Sequence, residues 1–352
     1  MKNPEPKRIF QKCCSLVLVF LLCISGTGRA SAADVQINGD ETSGAATAFP
    51  WADYDEKDVQ WWSSEEAIAL ADEILECQRP DGGWRRIMNR KEEGTKDRSS
   101  LDNNATWGQT LFLAKCYTAT GTERYREACL RGICFLLDSQ YENGGWPQVP
   151  GAKGSYIACV TFNDYVMTGA MLTMKRVSER SAEEGFAWVD DLTAQRAAEA
   201  LELALDCTLR CQVRVNGRLT AWCQQYDEVT LLPAGGRVYE PAAISTWESA
   251  DLVGFLQNFP EDPRICKSVE AAVAWFREVR IQGFRFEWVG DDRELVPGTY
   301  RDVLWARYYD IETMVPLFSD RSGKIFYDVS EISRERRTGY AWYGTWPLKY
   351  CL

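Results

Sequence analysis

QRPDGGW at residues 78–84 returns as QYENGGW at residues 140–146, and a weaker copy, QVRVNGR, follows at residues 212–218. The copies begin 62 and 72 residues apart, and each closes a helical pattern at a turn that contains glycine. A repeated helix pair cannot bury its apolar face alone, so three or more such units have to stack. The repeat therefore predicts an all-α fold, an α/α toroid in which the loops of one face form a cleft.

The helical patterns run between these repeats. Ser63 followed by Glu66 is a capping-box signal for the first helix, which carries an apolar stripe. Further helices are predicted near residues 104–119, 122–139, 162–178, 192–211, 243–257 and 266–279. Residues 281–352 are instead rich in aromatic and turn residues, so we expect an irregular segment that packs back onto the toroid.

The amino terminus has the three parts of a secretory signal. Basic residues precede a short apolar stretch, Ser15 to Ile24, and Ala30-Ser31-Ala32 is a small-residue cleavage site. We predict a signal peptide at residues 1–32, a flexible lead-in at 33–57 and a single catalytic domain at 58–352. The protein is then secreted or periplasmic, and no later segment is long enough to span a membrane.

Charge and composition exclude several classes of function. The chain has 352 residues, with 40 Lys and Arg against 51 Asp and Glu, and it contains no histidine. Removing residues 1–32 leaves a net charge of −15, which disfavours nucleic acid and anionic membranes as partners. Without histidine there is no Ser-His-Asp machinery and no imidazole base, so carboxylates, Arg, Lys, Tyr, Cys or a hard cation must carry any chemistry.

Ten cysteines remain after the signal peptide is removed. Most of them lie in helical patterns, which indicates small buried apolar residues, although an oxidising compartment also permits disulfides. Cys207, Cys211 and Cys223 could suggest a metal site, but neither a CxxC pair nor a histidine supports one.

Three aspartates lie beside turns or helix starts rather than on polar helix faces. Asp102 opens DNNAT, Asp164 closes TFND, and Asp227 closes AWCQQYD. Asp and Asn are preferred helix-capping residues, which is the simplest interpretation of each one. Asp-Asn pairs at corresponding ends of two helix pairs also suit a Ca²⁺ site built from oxygens, or the acid and base of a glycosidase.

Three arginines form a second set of candidates, because each lies in an aromatic or glycine-rich context. They are Arg237 in GGRVYE, Arg307 in WARYYD and Arg321 in SDRSGK. Asp310 and Asp320 stand close by in sequence as ion-pair partners. The alternative is planar, two-point recognition of carboxylates on a ligand.

Nine strings occur in order from about residue 60 to the carboxyl terminus and together carry a resemblance. They are QRPDGGW at 78–84, DNNAT at 102–106, QYENGGWPQ at 140–148, TFND at 161–164, AWCQQYD at 221–227, GRVYE at 236–240, LWARYYDIET at 304–313, DRSGKIFYD at 320–328 and RRTGYAWYGTWP at 336–347. This series resembles the calcium-dependent pectate lyases of polysaccharide lyase family ten.

The resemblance implies an α/α toroid that cleaves de-esterified polygalacturonate by anti β-elimination with Ca²⁺ as cofactor. It implies that Asp102 and Asp164 hold Ca²⁺ and that Arg321 is the base, with Asp102 counted among the catalytic residues. It further implies a set of substrate-binding residues: Arg237, Arg307, Arg86, Asn103, Thr106 and Tyr239. The expected partner is pectate or pectin, without nucleic acid, and the expected state is a monomer.

The chain departs from the family pattern at four places. Arg85-Arg86-Ile87 stands where Pro-Lys-Asn is usual, Asn104 where Gly is usual, Tyr226 where His is usual, and Ala242-Ala243 where a Ser is expected. Two alternatives therefore stay open at this point: a non-catalytic pectin-binding protein on the same fold, and an inverting glycoside hydrolase.

Overall fold

The structure is a computed structural model that describes residues 48–90 and 97–351. Its α-helices are α1 Trp51–Asp55, α2 Glu65–Cys77, α3 Trp107–Thr120, α4 Glu123–Asp138, α5 Val166–Ser178, α6 Asp191–Cys211, α7 Thr246–Leu256, α8 Pro263–Glu278, α9 Arg334–Thr338 and α10 Leu348–Cys351. Each long helix predicted from the sequence is present. The cap of α2 is Ser64, whose hydroxyl accepts from the backbone of Ala67, rather than Ser63.

The glutamine of each repeat joins neighbouring helices. The Nε2 of Gln78 donates to the carbonyls of Gly82 and Ala128, both at 2.9 Å. Gln140 makes the equivalent bonds to Gly144 and Ala200, and Gln212 to Thr220 and Ser268. Each side-chain amide thus donates to one carbonyl in its own turn and to one carbonyl in a neighbouring helix. That helix is α4 for Gln78, α6 for Gln140 and α8 for Gln212. The repeated string is therefore the element that sets the spacing of the stacked units.

A tryptophan at the end of each of the first two repeats, and Trp222 four residues after the third, anchor these segments to the preceding helix. Trp84, Trp146 and Trp222 are fully buried, and their indole N–H groups donate to the carbonyls of Ile74, Leu136 and Thr208 at 2.7–2.8 Å. Burial of a tryptophan without a partner for its N–H would leave a polar group unsatisfied, and these carbonyls at helix carboxyl ends supply that partner.

Gly82 and Gly144 are required by the turn itself. Both have positive φ, +94° and +91°, and a Cβ atom at either position would overlap a carbonyl of the next helix, that of Arg131 or Leu203. Only glycine tolerates both conditions. The Gly-Gly-Trp strings thus permit the close approach of a turn to a helix.

The described residues also contain fourteen short strands in five antiparallel sheets. The strands are β1 Val160–Thr161, β2 Arg214–Val215, β3 Arg218–Leu219, β4 Gln225–Tyr226, β5 Pro233–Ala234, β6 Ile244–Ser245, β7 Ile281–Gln282, β8 Phe284–Val289, β9 Asp292–Pro297, β10 Val303–Ala306, β11 Tyr308–Tyr309, β12 Pro316–Ser319, β13 Ile325–Phe326 and β14 Tyr343–Gly344. Their orders are β1-β4-β5, β14-β10-β7, β13-β12-β11-β6, β2-β3 and β8-β9.

The prediction of an all-α toroid is therefore wrong. Helices pack in successive pairs, α3 on α4 and α5 on α6, but the inter-helix loops and the carboxyl-terminal segment pair into sheets. Residues 281–352, expected to be irregular, contain eight of the strands. The alternation in Phe284-Arg285-Phe286-Glu287-Trp288 is a strand signal, and it was masked by the general richness in aromatic and turn residues.

The amino-terminal region differs from the expected lead-in. The signal peptide at 1–32 and residues 33–47 lie outside the described residues. Residues 48–57 include α1, and Phe49 and Trp51 are buried in the core, so the predicted flexible segment does not extend to residue 57. Within residues 48–90 and 97–351, no helix combines the length and apolarity that crossing a bilayer requires.

Candidate active site

Two irregular turns bring the predicted aspartates together. The 3₁₀ turns Asp102–Asn104 and Asn163–Tyr165 lie just before α3 and α5, and they contact each other. Five of the nine non-glycine residues with positive φ in the described chain lie in or beside these turns: Asn103, Asn104, Thr106, Asp164 and Tyr165. Such backbone persists only where its surroundings impose it, and it is concentrated at functional sites.

The side chains of Asp102 and Asp164 lie close enough for each to affect the pKa of the other, and we refer to them as the carboxylate pair. The two residues retain partial exposure, but Oδ1 of Asp102 is inaccessible to solvent and has no hydrogen-bond partner. Burial raises the pKa of Asp102, whereas the charges of Arg86 and Arg237 act in the opposite direction. Burial, and then the neighbouring charge of Asp102, raise the pKa of Asp164 well above its usual range. Two carboxylates in this arrangement are stabilised by a shared proton or by a cation.

Arg307 supports this pair through Asn163. The amide of Asn163 donates to Oδ2 of Asp164 at 2.6 Å, and its Oδ1 accepts from Nη2 of Arg307 at 3.2 Å. The same nitrogen of Arg307 forms a buried ion pair with Glu248 at 2.6 Å. Although burial opposes the charge, Glu248 keeps the pKa of Arg307 well above its usual value.

Aromatic rings fix the plane of the Arg307 guanidinium. The ring centroids of Trp247 and Tyr340 lie 4.4 and 5.0 Å from its central carbon, and the residue is only 5% exposed. Sequence reasoning paired Arg307 with Asp310, but Asp310 accepts from the backbone of Glu312 and Thr313 and closes its own turn. Local sequence therefore identified a candidate partner that the tertiary structure does not use.

Arg237 forms a two-point ion pair with Glu240. Its Nε and Nη2 donate to the two carboxylate oxygens at 2.9 and 2.6 Å. Although burial alone would raise it, the contact with Arg237 lowers the pKa of Glu240 to about 2. Glu240 also accepts from the Tyr340 hydroxyl at 2.8 Å, which in turn lies 2.6 Å from the Tyr308 hydroxyl. The Arg237 side chain remains 38% exposed at this site.

Arg321 lies on the more exposed side of the site. It forms two hydrogen bonds to Glu335, at 2.9 and 3.2 Å, and its side chain is 59% exposed. Glu335 also accepts two bonds from the buried Arg336. The sequence suggested Asp320 as the partner of Arg321, but Asp320 accepts from the backbone of Ser322 and Ser333.

Tyr239 connects these arginines. The guanidinium carbons of Arg237, Arg321 and Arg336 lie 5.0, 5.6 and 4.6 Å from its ring centroid. The ring is buried, so it supplies an apolar, electron-rich surface to three cations. This arrangement places Arg321 in the same cluster as Arg237 although the two are far apart in sequence.

The remaining predicted residues separate into two groups. Arg86 is close enough to Asp102 to influence its pKa, and Asn103 lies in the turn with φ of 55°. Thr106 is fully buried, accepts from the backbone N–H of Trp84 and donates to the carbonyl of Ser100 at 2.8 Å. The hydroxyl of Thr106 therefore stabilises the turn through both of these hydrogen bonds.

Asp227 is outside the site. It is partly exposed and accepts from the backbone of Val229 and Thr230, the turn-capping role that was the simplest interpretation. Tyr226 is buried, and its hydroxyl accepts from the backbone of Cys223 at 2.6 Å. Asn104 has φ of 65°, a conformation in which asparagine is the best tolerated substitute for glycine. Two of the departures from the family pattern are thereby explained as structural residues.

Several residues of the site were missed by sequence reasoning. Glu240 and Asn163 stand inside quoted strings, but nothing local distinguishes them as ion-pair or bridging residues. Glu248 and Glu335 lie in helices α7 and α9, where an acidic residue usually faces solvent. Tyr156 is 37% exposed and lies close enough to Arg237, Asp102 and Asp164 for their charges to affect its pKa.

The described cysteines are free thiols, and six are buried, including Cys207, Cys211 and Cys223. Within the described parts of the chain, no group of three His, Cys, Asp or Glu side chains is arranged to hold a metal ion. Any cation at the carboxylate pair would need further oxygen ligands from amides, water or substrate.

Comparison with known proteins identifies the family of the chain. A family model described as pectic acid lyase matches residues 71–351. Two solved structures are similar: family 10 polysaccharide lyase from Cellvibrio cellulosa, and an aspartate-to-alanine mutant of family 10 polysaccharide lyase from the same organism in complex with trigalacturonic acid.

Each of these structures shares 30% identity with the chain at a TM-score of 0.76. The alignments cover 86% of this chain and 94–95% of theirs. No curated protein sequence matches. The resemblance carried by the nine strings is confirmed, and because the family model spans most of its length, the chain belongs to the pectic acid lyase family and is a pectate lyase.

Proposed function

We propose that the enzyme cleaves de-esterified polygalacturonate by Ca²⁺-dependent anti β-elimination at the carboxylate pair. The observation that supports this most directly is the contact between Asp102 and Asp164 in two strained turns. Adjacent carboxylates repel each other unless a proton or a cation lies between them. A pectate lyase also works on a polyanion, which needs the same neutralisation.

The donor set suits calcium. Oδ1 of Asp102 is buried without a hydrogen-bond partner, which leaves an acceptor available to a ligand. Calcium takes six to eight oxygen ligands and prefers carboxylates and amide carbonyls. Asp102 and Asp164 would hold the ion, and water and the substrate carboxylate would complete its coordination. The bound ion would supply charge neutralisation at the uronate carboxylate while the C5 proton leaves.

The protein side chains then bind and orient the sugar. Arg237, with its side chain 38% exposed, would bind a uronate carboxylate, and Arg86 would add positive charge beside Asp102. Arg307 is buried and paired with Glu248, so we assign it to positioning: it holds Asn163, which holds Asp164. Thr106 and Tyr239 likewise act by holding the Asp102 turn and the arginine cluster, and Asn103 contributes to the same turn.

Arg321 is the proposed base. Its guanidine nitrogen takes the C5 proton, the C5–H electrons form the C4–C5 double bond, and the C4–O bond breaks on the opposite face. The leaving oxygen takes a proton from solvent. Arg321 shares the Tyr239 ring with Arg237 and Arg336, and it has to leave its ion pair with Glu335 to reach the substrate.

The inverting glycosidase is not favoured by the geometry. Inverting enzymes separate their carboxyl groups by about 6.5–9.5 Å to admit a water molecule. Asp102 and Asp164 are in contact, and Asp227 lies outside the site. We further propose that residues 1–32 direct export, that residues 58–352 belong to a catalytic domain whose core also includes Phe49 and Trp51, and that the enzyme acts as a monomer outside the cytoplasm.

The test is to mix the purified enzyme with polygalacturonate and follow the ultraviolet absorbance of the unsaturated product. We expect product with Ca²⁺, none with excess chelator, and recovery when Ca²⁺ is restored. Asp164→Asn should need more Ca²⁺, whereas Asp227→Asn serves as a matched control and should behave like the parent. Turnover that persists unchanged in chelator would refute the calcium mechanism.

A further inference from the structure

The β8–β9 hairpin carries two exposed aromatic side chains whose place in the reaction is unassigned, and Phe286 between them packs against the core. Phe284–Val289 and Asp292–Pro297 pair antiparallel across a two-residue turn that contains Gly290 at φ of 65°. Trp288 is 59% exposed near the tip, and Phe284 is 39% exposed at the base. Exposed aromatic side chains rimmed by polar residues can mark a ligand-binding surface.

The two faces of this hairpin have different chemistry. Residues opposite each other in the register share a face, because successive side chains alternate. One face, the aromatic face, carries Phe284, Phe286, Trp288, Arg293, Leu295 and Pro297. The other face carries Arg285, Glu287, Val289, Asp292, Glu294 and Val296. All three acidic side chains of the two strands therefore lie away from the aromatic face.

Arg293 is a cation without a carboxylate. It stands directly across from Trp288, its guanidinium carbon lies 4.4 Å from the Phe286 ring centroid, and its Nη2 donates to the Phe286 carbonyl at 3.1 Å. Its Nε is buried and has no hydrogen-bond partner. Burial alone lowers the pKa of Arg293, and no charged side chain among the described residues offsets that effect.

The hairpin is fixed beside the proposed base. Phe286 packs on Tyr343 at 5.0 Å between ring centroids, and Asp292 is ion-paired to Arg337 of α9. The same helix carries Glu335, which holds Arg321. A ligand on the aromatic face would therefore be tethered to the element that borders the active site.

We propose that Trp288 and Arg293 form a second uronate-binding site, at which a galacturonate residue of a long pectate chain stacks on the indole and places its carboxylate on the guanidinium. Sugar rings and planar carboxylates suit these two side chains. The chain carries a net charge of −11, so a polyanion needs such a local cation to remain bound. The inference rests on pectate being the substrate and is independent of which residues catalyse the reaction.

Affinity electrophoresis of the full-length protein through a gel containing polygalacturonate tests this site without turnover. Chelator is included so that the polymer stays intact. We expect Trp288→Ala and Arg293→Gln to be retarded less than the parent, with a roughly three- to tenfold weaker apparent affinity. Arg285→Gln is the matched control, because Arg285 lies on the opposite face and pairs with Glu287, and it should be retarded like the parent.

Kinetics separate this site from the catalytic cleft. Trp288→Ala should raise KM for polygalacturonate by a similar factor and leave kcat/KM for trigalacturonate unchanged. Retardation of Trp288→Ala equal to that of the parent would refute the proposal. Equal losses on polymer and trimer would also refute it, since the hairpin would then act on the fold. A parent dimer that Trp288→Ala converts to monomer would show that the surface binds a second copy instead. A parent without lyase activity would contradict the proposed mechanism while leaving the gel result interpretable.

Discussion

The two sides of the active site are built in different ways. The carboxylate pair lies in strained turns before α3 and α5, and Asn163, Arg307 and Glu248 fix it from behind. Arg321 lies in the strand-rich segment, 59% exposed, and is held by one partly exposed carboxylate. The proposed cation site benefits from rigid ligands, whereas the proposed base, which has to exchange Glu335 for substrate, needs freedom to move.

The largest expected effect is a loss of activity without a loss of stability when Arg321 is replaced. Arg321→Ala should lower kcat by about 10²–10⁴-fold, the usual contribution of a general base. Its thermal unfolding should match the parent, because an exposed ion pair contributes only about 0–1 kcal/mol. Steady-state kinetics and calorimetry on the same preparation check both points. Activity within tenfold of the parent would remove Arg321 from the role of base.

The second effect concerns Glu240, whose stabilising ion pair with Arg237 depends on pH. The pKa of Glu240 is about 2 in the folded protein, against 4.5 in the unfolded chain, so its stabilising effect is present above about pH 5 and is lost as pH falls towards 2. The shift corresponds to at most about 3 kcal/mol.

Urea unfolding of the parent and of Glu240→Gln at a series of pH values measures this contribution. The parent should be more stable at neutral pH, and the difference between the two proteins should shrink as pH approaches 2. A difference that is constant across this range would assign the effect to packing rather than to charge.

The third prediction tests whether the residues that hold the carboxylate pair in place affect its affinity for Ca²⁺. Asn163→Ala removes the bridge between Arg307 and Asp164 without touching either charge. We expect the Ca²⁺ concentration for half-maximal activity to rise about 10-fold or more, as for other groups that orient metal ligands. Calcium titration of activity measures the shift, with Asp227→Asn as the control. An unchanged calcium requirement would restrict Asn163 to a packing role.

The smallest effect concerns Glu335, which we expect to hold Arg321 only in the free enzyme. Glu335→Gln preserves the size of the side chain and removes its charge. We predict a change in kcat of roughly two- to fivefold, the size of a surface ion pair, together with a shift of the pH–rate profile. A loss as large as that of Arg321→Ala would show that Glu335 takes part in the chemistry directly.

Local patterns predicted the helices and the aspartates well. Helical periodicity and capping signals are properties of a few adjacent residues, so α3, α4 and α6 were located within about three residues. Asp102 and Asp164 were selected because each stands beside a turn at a helix start. The strands were missed since each is only two to six residues long, and several of them, such as β1, β6 and β10, have partners in distant segments.

Ion-pair partners show the same limit. Asp310 and Asp320 are adjacent in sequence to the arginines of interest, yet they close their own turns, because an aspartate can bond the backbone two or three residues on. The true partners, Glu248 and Glu335, are 59 and 14 residues away along the chain. Sequence separation carries no information about such pairs.

The sequence alone determined the stacked helical units, through strings that share a glutamine and a turn glycine, and it determined the family through nine strings in order. The tertiary structure alone decided that the loops pair into sheets, that Asp164 and Asp102 meet while Asp227 does not, and that Tyr239 gathers three arginines. The physical reason is that backbone geometry is a local property, whereas burial, charge pairing and strand pairing depend on which distant segments the fold brings into contact.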